Sequence, residues 1–349
     1  MHLQRRLILT VAAALTMPAL AQGRDLAQAA REIPARLLPV PDTVSPTLQQ
    51  HIAAPYPAGW DTIPADAAGW RALQRASVET VEPMMPALAA ALRVRVERNS
   101  EGGVPVFLIT PEVMPPANRD RLLMHLHGGG YVLFPGIVGA GEAMLMASHA
   151  GYRCMSVDYR MPPDHPFPAA LNDAIAVWRS LCASRDPRRM GIFGSSAGGG
   201  LTLATVLRAI QDDLPMPAAI APGTPWCDLT ATGDSLRANA YVDNVLVAPS
   251  GWISGAAQLY AAGHDLTDPL ISPLYGDFTG LPPAILTSGT RDLLLSDTVR
   301  AHRKLRRAGV TAELQVFEAQ SHAQFMIPGV PETAEAFEEI GRFFGRHLA

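Results

Sequence analysis

Two hydrophobic patterns follow one another along the chain. Beginning near residue 92, the stretches LRVRVERN and VPVFLIT alternate apolar and polar residues, which predicts two strands that pair antiparallel. Beyond them, short and predominantly apolar runs alternate with longer helical segments. The runs predict strands at 122–126, 152–157, 190–193, 218–221, 283–287 and 312–317. The segments around them predict helices at 141–149, 169–184, 200–211, 296–308 and 332–347.

Strands that are apolar on both faces and separated by helices are typical of a parallel sheet with both faces covered. The sequence therefore predicts an α/β fold with a mostly parallel, twisted sheet and helices on both sides. Two regions depart from the alternation. The N-terminal part contains the helical pieces DTVSPTLQQHI and WRALQRASVETV, and residues 228–277 contain aromatic and polar clusters but no strand run. We expect the second region to be a helical lid that lies with the N-terminal helices over the strand ends.

The first residues, MHLQRRLILTVAAALTMPALAQG, have the layout of a secretory signal. Arg5 and Arg6 precede a short apolar run, and Ala19 and Ala21 form a small-x-small cleavage site. The run is shorter than the roughly 18–20 residues that span a bilayer, so no stable membrane insertion is expected. We predict a signal peptide at 1–21 and an exported, periplasmic or secreted protein. A helical cap segment at 22–85 and a catalytic domain at 86–349, with its lid at about 228–277, complete the predicted domains.

Composition narrows the functional classes. Apolar residues make up 48% of the chain, which permits a sizeable hydrophobic core. The net charge of −4 shows no excess of basic residues of the kind that binds nucleic acid. Cys154, Cys182 and Cys227 form no CxxC motif or Cys/His cluster, so we expect inert buried thiols and no metal site. The sequence implies no cofactor, and it neither requires nor excludes a homo-oligomer.

Candidate chemistry begins at a strand-to-helix turn. Residues 194–198, GSSAG, follow the strand predicted at 190–193 and fit the pattern G-x-S-x-G with Ser196 at the apex. Small residues two positions on either side allow a sharp bend that exposes the middle hydroxyl in front of a helix N-terminus. An ordinary glycine-rich turn has the same pattern, whereas dinucleotide and phosphate loops have different ones. Ser195 is a second hydroxyl, one position from the apex.

A glycine-rich stretch, HLHGGGY, follows the strand RLLMHL. Its glycines allow the backbone to approach a substrate carbonyl closely, and the N–H groups of Gly129, Gly130 and Ala197 would form an oxyanion hole. His125 and His127 have no third ligand at useful spacing, which argues against a metal pair.

A nucleophilic serine needs a base and an orienting carboxylate. Asp292 follows the strand in AILTSGTR, and His322 follows LQVFEAQS. The order Ser196, Asp292, His322 is that of a hydrolase triad. Asp297 is the alternative acid, although its position near the start of a helix favours a capping role.

Four ordered motifs carry a resemblance to a known family. HGGGY at 127–131, DYR at 158–160, PDHPFPAA at 163–170 and GSSAGG at 194–199 resemble the hormone-sensitive-lipase-like esterases of the α/β-hydrolase fold. The resemblance covers the chain from Leu122 to its C-terminus. It implies that the glycine stretch supplies the oxyanion hole and that the DYR…HPFPAA segment is structural. The chain departs from the family at Ser195, where Asp or Thr is usual, and after Asp292, where Asp-Pro-Leu is usual.

The predicted function is a serine carboxylic-ester hydrolase that acts on a small-molecule ester. The resemblance implies short to medium acyl esters, lactones or small acetylated compounds. Candidate substrate-binding residues are Tyr131 after the glycines and Tyr241 and Trp252 in the lid, although core packing explains such aromatic residues equally well. A transacylase with the same triad, a peptidase and a catalytically silent ligand-binding module are the alternatives.

Overall fold

Eight strands among the described residues form one sheet. They are β1 (Val94–Glu101), β2 (Val104–Pro111), β3 (Leu122–Leu126), β4 (Arg153–Val157), β5 (Met190–Ser195), β6 (Ala219–Gly223), β7 (Ala284–Gly289) and β8 (Ala312–Phe317). Their order is β1-β2-β4-β3-β5-β6-β7-β8. β2 pairs antiparallel with β1 and with β4, and the other neighbours pair parallel. The predicted antiparallel start and mostly parallel continuation are confirmed.

Helices cover both faces of this sheet. Those described are α1 (Pro46–Ile52), α2 (Ala67–Val81), α3 (Met85–Ala91), α4 (Gly141–Ala150), α5 (Ala169–Ser184), α6 (Ala197–Gln211), α7 (Ser235–Ala238), α8 (Trp252–Ala261), α9 (Leu295–Arg307) and α10 (Pro331–His347). Side chains of α3, α4 and α10 share one buried cluster, and those of α5, α6, α8 and α9 share another. The layered α/β arrangement predicted from the sequence is therefore present.

Burial of both faces of the inner strands explains why the sequence shows short, predominantly apolar runs. In β3, Leu122 and Met124 belong to the cluster that contains α5 and α6, whereas Leu123 belongs to the cluster that contains α4 and α10. Successive side chains of a strand point to opposite faces, so a strand covered on both sides is mostly apolar. The polar exception in β3, His125, is buried with its ring nitrogens in contact with Ser156 and Glu142. Alternate side chains of one run thus enter two separate hydrophobic clusters.

The structure is a computed structural model that describes residue 30 and residues 32–349. The predicted signal peptide at 1–21, on which the prediction of export depends, lies outside the described residues. Within the described part of the chain, no helix has both the length and the apolar character that a membrane crossing demands. Cys154 and Cys227 are buried thiols, as expected, whereas Cys182 is partly exposed.

As far as the structure describes them, the two regions that break the βα alternation contain helices and no strands. Ser45 caps α1 by accepting a hydrogen bond from the Leu48 amide, and both its amide and its hydroxyl donate to Glu332 of α10, at 2.7 and 2.8 Å. Helix α3, which follows α2 after a single turn, was not predicted. Residues 228–277 contain the short helices α7 and α8, joined by turns and irregular segments, and no strand. The lid role of this region stays a prediction.

Candidate active site

The sharp turn between β5 and α6 holds Ser196 in a strained backbone conformation, with φ 60° and ψ −124°. A Cβ atom on Gly194 or Gly198 would collide with the carbonyl oxygen of Leu126, so both positions need glycine. The Ser196 side chain reaches a cavity, and its hydroxyl forms no hydrogen bond with any residue that the structure describes. The turn therefore presents a free hydroxyl, as the G-x-S-x-G pattern predicts.

Asp292 and His322 meet at the same edge of the sheet. Asp292 follows β7, His322 follows β8, and the imidazole Nδ1 lies 3.0 Å from the Asp292 Oδ1. The other carboxylate oxygen accepts hydrogen bonds from the hydroxyls of Thr224 and Ser288, the latter at 2.6 Å. The Leu294 amide donates to Oδ1 at 2.9 Å. This set of donors fixes the carboxylate while leaving it able to orient the imidazole.

The electrostatics of the pair favour its charged form. Burial alone would raise the pKa of Asp292, but the charge of His322 and the hydrogen bonds from His322, Ser288 and Thr224 hold this pKa below its usual value. Burial likewise opposes protonation of His322, but the Asp292 carboxylate and a second carboxylate, Asp243, raise the pKa of the imidazole above its usual value. The pair can therefore stabilise an imidazolium in a buried position.

The second imidazole nitrogen, Nε2, is the one that could act on Ser196. His322 Nε2 is buried and has no hydrogen-bond partner among the described residues, and His322 lines the same cavity as Ser196. The hydrogen bond between a nucleophile and its base is often long in a free enzyme and shortens when substrate binds. The structure thus brings the three predicted triad residues to one site, with no direct Ser196–His322 hydrogen bond.

Unpaired backbone donors lie on the glycine loop, which lines the same cavity as Ser196, and at the first residue of α6. The N–H groups of Gly129, Gly130 and Ala197 donate to no acceptor within the described part of the chain. Gly129 and Gly130 have φ of 108° and 62°, and a Cβ on Gly130 would lie 2.8 Å from the ring of Trp252. Ala197 is the first residue of α6, where an amide has no intrahelical acceptor. These three amides are available to an oxyanion.

Comparison with known proteins agrees with this geometry. The family model for the alpha/beta hydrolase fold matches residues 123–326. This chain belongs to that family. The hydrolase is also similar to curated enzymes: an acetyl-hydrolase of Streptomyces hygroscopicus is 34% identical, over 67% of this chain and 79% of the relative. An esterase of Acinetobacter venetianus is 30% identical, over 66% of this chain and 77% of the relative.

Solved structures resemble this hydrolase over most of its length. The crystal structure of an esterase superposes with a TM-score of 0.89 at 40% identity, over 92% of this chain and 100% of the other. An esterase from the bacterial hormone-sensitive lipase family superposes with a TM-score of 0.70 at 32% identity, over 78% and 99%. The hydrolase is therefore a carboxylic-ester hydrolase of the hormone-sensitive-lipase-like branch, and the resemblance seen in the sequence is confirmed.

The cavity in front of Ser196 has a volume of about 480 Å³ and a largely apolar wall. The wall combines residues of the N-terminal helices, of the loop and helix after the glycines, and of the 228–277 region. Its apolar side chains include Val81, Met84, Met85, Leu88, Leu133, Phe134, Val138, Leu145, Val245, Leu246, Trp252 and Ile253. None of the described residues in the wall is a lysine or an arginine. Burial lowers the pKa of His127 to about 3, so this ring is neutral.

Of the three predicted substrate-binding side chains, only Trp252 lines the cavity. Tyr131 is buried in the core, where its ring stacks on Tyr260 at 3.8 Å between centroids. Its backbone has φ 65°, and its ring also contacts Trp226, at 5.9 Å between centroids. Tyr241 is 61% exposed and meets the edge of Trp60 instead. The prediction is corrected for Tyr131 and Tyr241, because each ring has other neighbours.

Asp297 occupies a separate buried position. Its carboxylate accepts hydrogen bonds from the amides of Cys227 and Asp228, at 3.1 and 2.9 Å, and forms none with His322. Burial and the nearby charge of Asp228 raise the pKa of Asp297 to about 8. The carboxylate thus fixes the chain at the start of the 228–277 region, and the preference for Asp292 agrees with the geometry. The capping role predicted for Asp297 is wrong, because α9 has Leu294 at its N-cap and no side-chain cap hydrogen bond.

The DYR segment braces the glycine loop from behind. The Tyr159 hydroxyl donates to the His127 carbonyl at 2.7 Å, and the two rings stack at 4.1 Å. The Asp158 carboxylate accepts the Gly136 amide at 2.7 Å, and Arg160 forms an ion pair with Asp173. These contacts suit the structural role that the resemblance implies for the segment.

Glu142, in the first turn of α4, is a residue that sequence reasoning missed. Its carboxylate accepts the Ser195 hydroxyl at 2.6 Å and the Ser195 amide at 3.1 Å, and lies 3.1 Å from His125 Nε2. His125 Nδ1 contacts the Ser156 hydroxyl at 2.9 Å. Glu142 therefore ties the strand before the glycines to the residue before the nucleophile. The sequence signal that could have indicated Glu142 is an acidic residue directly after Gly141, at the start of the helix predicted at 141–149.

This contact makes an aspartate at position 195 unfavourable, because Glu142 already places a carboxylate against that residue. In Ser195→Asp, two buried carboxylates would face each other, and we expect the free energy of unfolding to fall by about 3 kcal/mol. Adding Glu142→Gln supplies an amide donor and should restore most of the loss. Urea unfolding of both single variants and the double variant measures the coupling. Additive effects of the two substitutions would contradict the explanation.

Proposed function

We propose that this enzyme is a serine esterase that cleaves short to medium acyl esters through an acyl-enzyme on Ser196. The observation that carries the proposal is the Asp292–His322 hydrogen bond, which leaves Nε2 unpartnered beside the cavity that Ser196 lines. The unpaired amides of the glycine loop and α6 support it, because they supply the electrostatic stabilisation that ester hydrolysis needs.

In the first half of the proposed reaction, His322 Nε2 takes the proton of the Ser196 hydroxyl as its oxygen attacks the ester carbonyl. The carbonyl oxygen becomes an oxyanion and accepts hydrogen bonds from the amides of Gly129, Gly130 and Ala197. Asp292 holds the imidazolium through Nδ1–H. The tetrahedral intermediate then expels the alcohol, which leaves with the proton from Nε2.

In the second half, His322 takes a proton from water, and the resulting hydroxide attacks the acyl carbonyl. Collapse of the second tetrahedral intermediate breaks the bond to the Ser196 oxygen, which recovers its proton from the imidazolium. The carboxylic acid is released and the free enzyme returns. Since the base must be neutral, kcat/KM should rise with pH through the titration of His322.

Trapping the acyl-enzyme tests the proposal directly. The enzyme is mixed with p-nitrophenyl butyrate, quenched in acid during the steady state, digested and analysed by mass spectrometry. We expect a butyryl adduct on the peptide that contains Ser196. An adduct confined to another residue, or a p-nitrophenol burst without any adduct on this peptide, would exclude the proposed intermediate.

The wall of the cavity indicates a neutral acyl group. An ionised substrate carboxylate would be desolvated there without a lysine or arginine to compensate, and Glu142 adds a like charge. The volume of the cavity suits a short to medium chain, and the names of relatives such as the acetyl-hydrolase of Streptomyces hygroscopicus agree with that class.

A matched substrate pair measures this preference. We expect kcat/KM for p-nitrophenyl hemisuccinate to be at least about 10²-fold lower than for its methyl ester, which has nearly the same length but no charge. Both constants come from initial rates measured at the same pH, about one unit above the ordinary pKa of histidine, and corrected for spontaneous hydrolysis. Equal constants would show that the acyl group does not enter this apolar cavity.

A further inference from the structure

Asp243 is a buried carboxylate at which three parts of the active site meet. It lies in the 228–277 region between α7 and α8 and is fully buried. One carboxylate oxygen, Oδ1, accepts the amides of Val245 and Leu246, at 2.7 and 3.0 Å. The other, Oδ2, accepts the amides of Leu293 and His322, at 2.7 and 3.1 Å. Four backbone donors thus converge on one side chain.

These donors belong to segments with different tasks. Val245 and Leu246 line the cavity, Leu293 directly follows the acid Asp292, and His322 is the proposed base. An ionised carboxylate has two oxygens with about four acceptor sites, so it can satisfy all four N–H groups at once. A neutral side chain of the same size cannot do so.

We infer that Asp243 is a positioning residue, which locks the Asp292 loop and the backbone of His322 to the cavity wall and so keeps the imidazole in register with Ser196. The inference rests on the proposed function, because it assumes that His322 is the base. It assigns Asp243 no contact with substrate.

The charge of Asp243 also acts on the imidazole. The charged groups that face His322 are Asp292 and Asp243, and those that face Asp243 are Asp292 and His322. Burial and the charge of Asp292 raise the pKa of Asp243, against its backbone hydrogen bonds and the charge of His322. In its ionised form Asp243 raises the pKa of His322. Removing this charge should therefore make the imidazole easier to deprotonate.

Asp243→Asn separates positioning from a merely structural role. Its amide presents one acceptor oxygen, so two of the four N–H groups lose their partner. We expect kcat on p-nitrophenyl butyrate to fall about 10²-fold, the usual scale for a displaced catalytic group. We also expect the acid limb of the kcat/KM–pH profile to move to lower pH. The position of that limb does not depend on the folded fraction, so partial unfolding alone leaves it in place.

Two further variants complete the experiment. Asp243→Glu keeps the charge but displaces the carboxylate, so kcat should fall while the acid limb stays near that of the wild type. If Asp243→Asn does not fold, a wild-type kcat in Asp243→Glu decides against the inference. Asp297→Asn is the matched control, another buried aspartate that accepts two backbone amides at the edge of the same region. Its acid limb should coincide with that of the wild type.

The results distinguish this inference from the proposed function. An unmoved or raised acid limb in Asp243→Asn overturns the inference, whatever happens to kcat. If Ser196→Ala also keeps its turnover, the proposed function fails as well. If only Ser196→Ala behaves as proposed, the esterase mechanism stands and Asp243 is a structural residue.

Discussion

Ser196→Ala should lower kcat/KM on p-nitrophenyl butyrate by at least about 10³-fold while the protein stays folded. The substitution removes the only atom on the turn between β5 and α6 that could bond to the acyl carbon from the cavity. The neighbouring hydroxyl of Ser195 is fully buried and is donated to Glu142, so it cannot take over. Steady-state kinetics with the circular dichroism spectrum of the variant give both halves of the expected result.

Ser195→Ala serves as the neighbouring control. It loses one hydrogen bond to Glu142 but keeps the hydroxyl at the apex, so its loss of activity should be far smaller. Turnover that survives in Ser196→Ala would rule out this serine as the nucleophile. A large loss in both variants, with unfolding of both, would instead show that the turn itself had collapsed.

Asp292→Asn should reduce kcat by about 10⁴-fold, because a neutral amide cannot stabilise the imidazolium that forms on His322. The Leu294 amide donates at the Oδ1 position and would keep the asparagine oxygen there, whereas the hydroxyls of Thr224 and Ser288 can turn to accept from the asparagine NH2 group. The ring therefore keeps its tautomer but loses the opposite charge that raises the pKa of the base. The loss should appear in kcat and kcat/KM alike, since substrate binding does not involve this carboxyl.

Asp297→Asn is the control for this result too. Asp297 is equally buried and lies five positions further along the chain, but it contacts the amides of Cys227 and Asp228 and not the base. Its activity should stay within a few-fold of the wild type. A larger loss in Asp297→Asn than in Asp292→Asn would reverse the assignment of the acid.

The positions of the strands and of the residues that follow them are mostly predictable from the sequence. Each predominantly apolar run becomes a strand of the sheet, and parallel strands bring their C-terminal ends to one edge. Ser196, Asp292 and His322 each follow such an end, so their approach follows from strand order without any knowledge of the loops. The glycines after β3 also follow a strand end, so their position beside the same edge was predictable, while their role toward an oxyanion stays a prediction.

The sequence predicts contacts between irregular segments poorly. Tyr131 is a substrate-binding candidate in the sequence, but its ring is buried in the core against Tyr260. Asp243 accepts a hydrogen bond from His322, and Glu142 accepts one from Ser195, and each of these partners is more than 45 residues away along the chain. No local pattern records such distant partners, and only the packed loops bring them together.

Part of the cavity wall comes from a stretch that contains neither sheet nor triad. Val81, Met84, Met85 and Leu88 belong to the helices that precede β1, and the two methionines are unbranched and adaptable in shape. Substitutions there can reshape the space for the substrate while the proton relay keeps its geometry. Evolution, or directed selection, could therefore retune which esters this enzyme accepts by working on one short surface stretch.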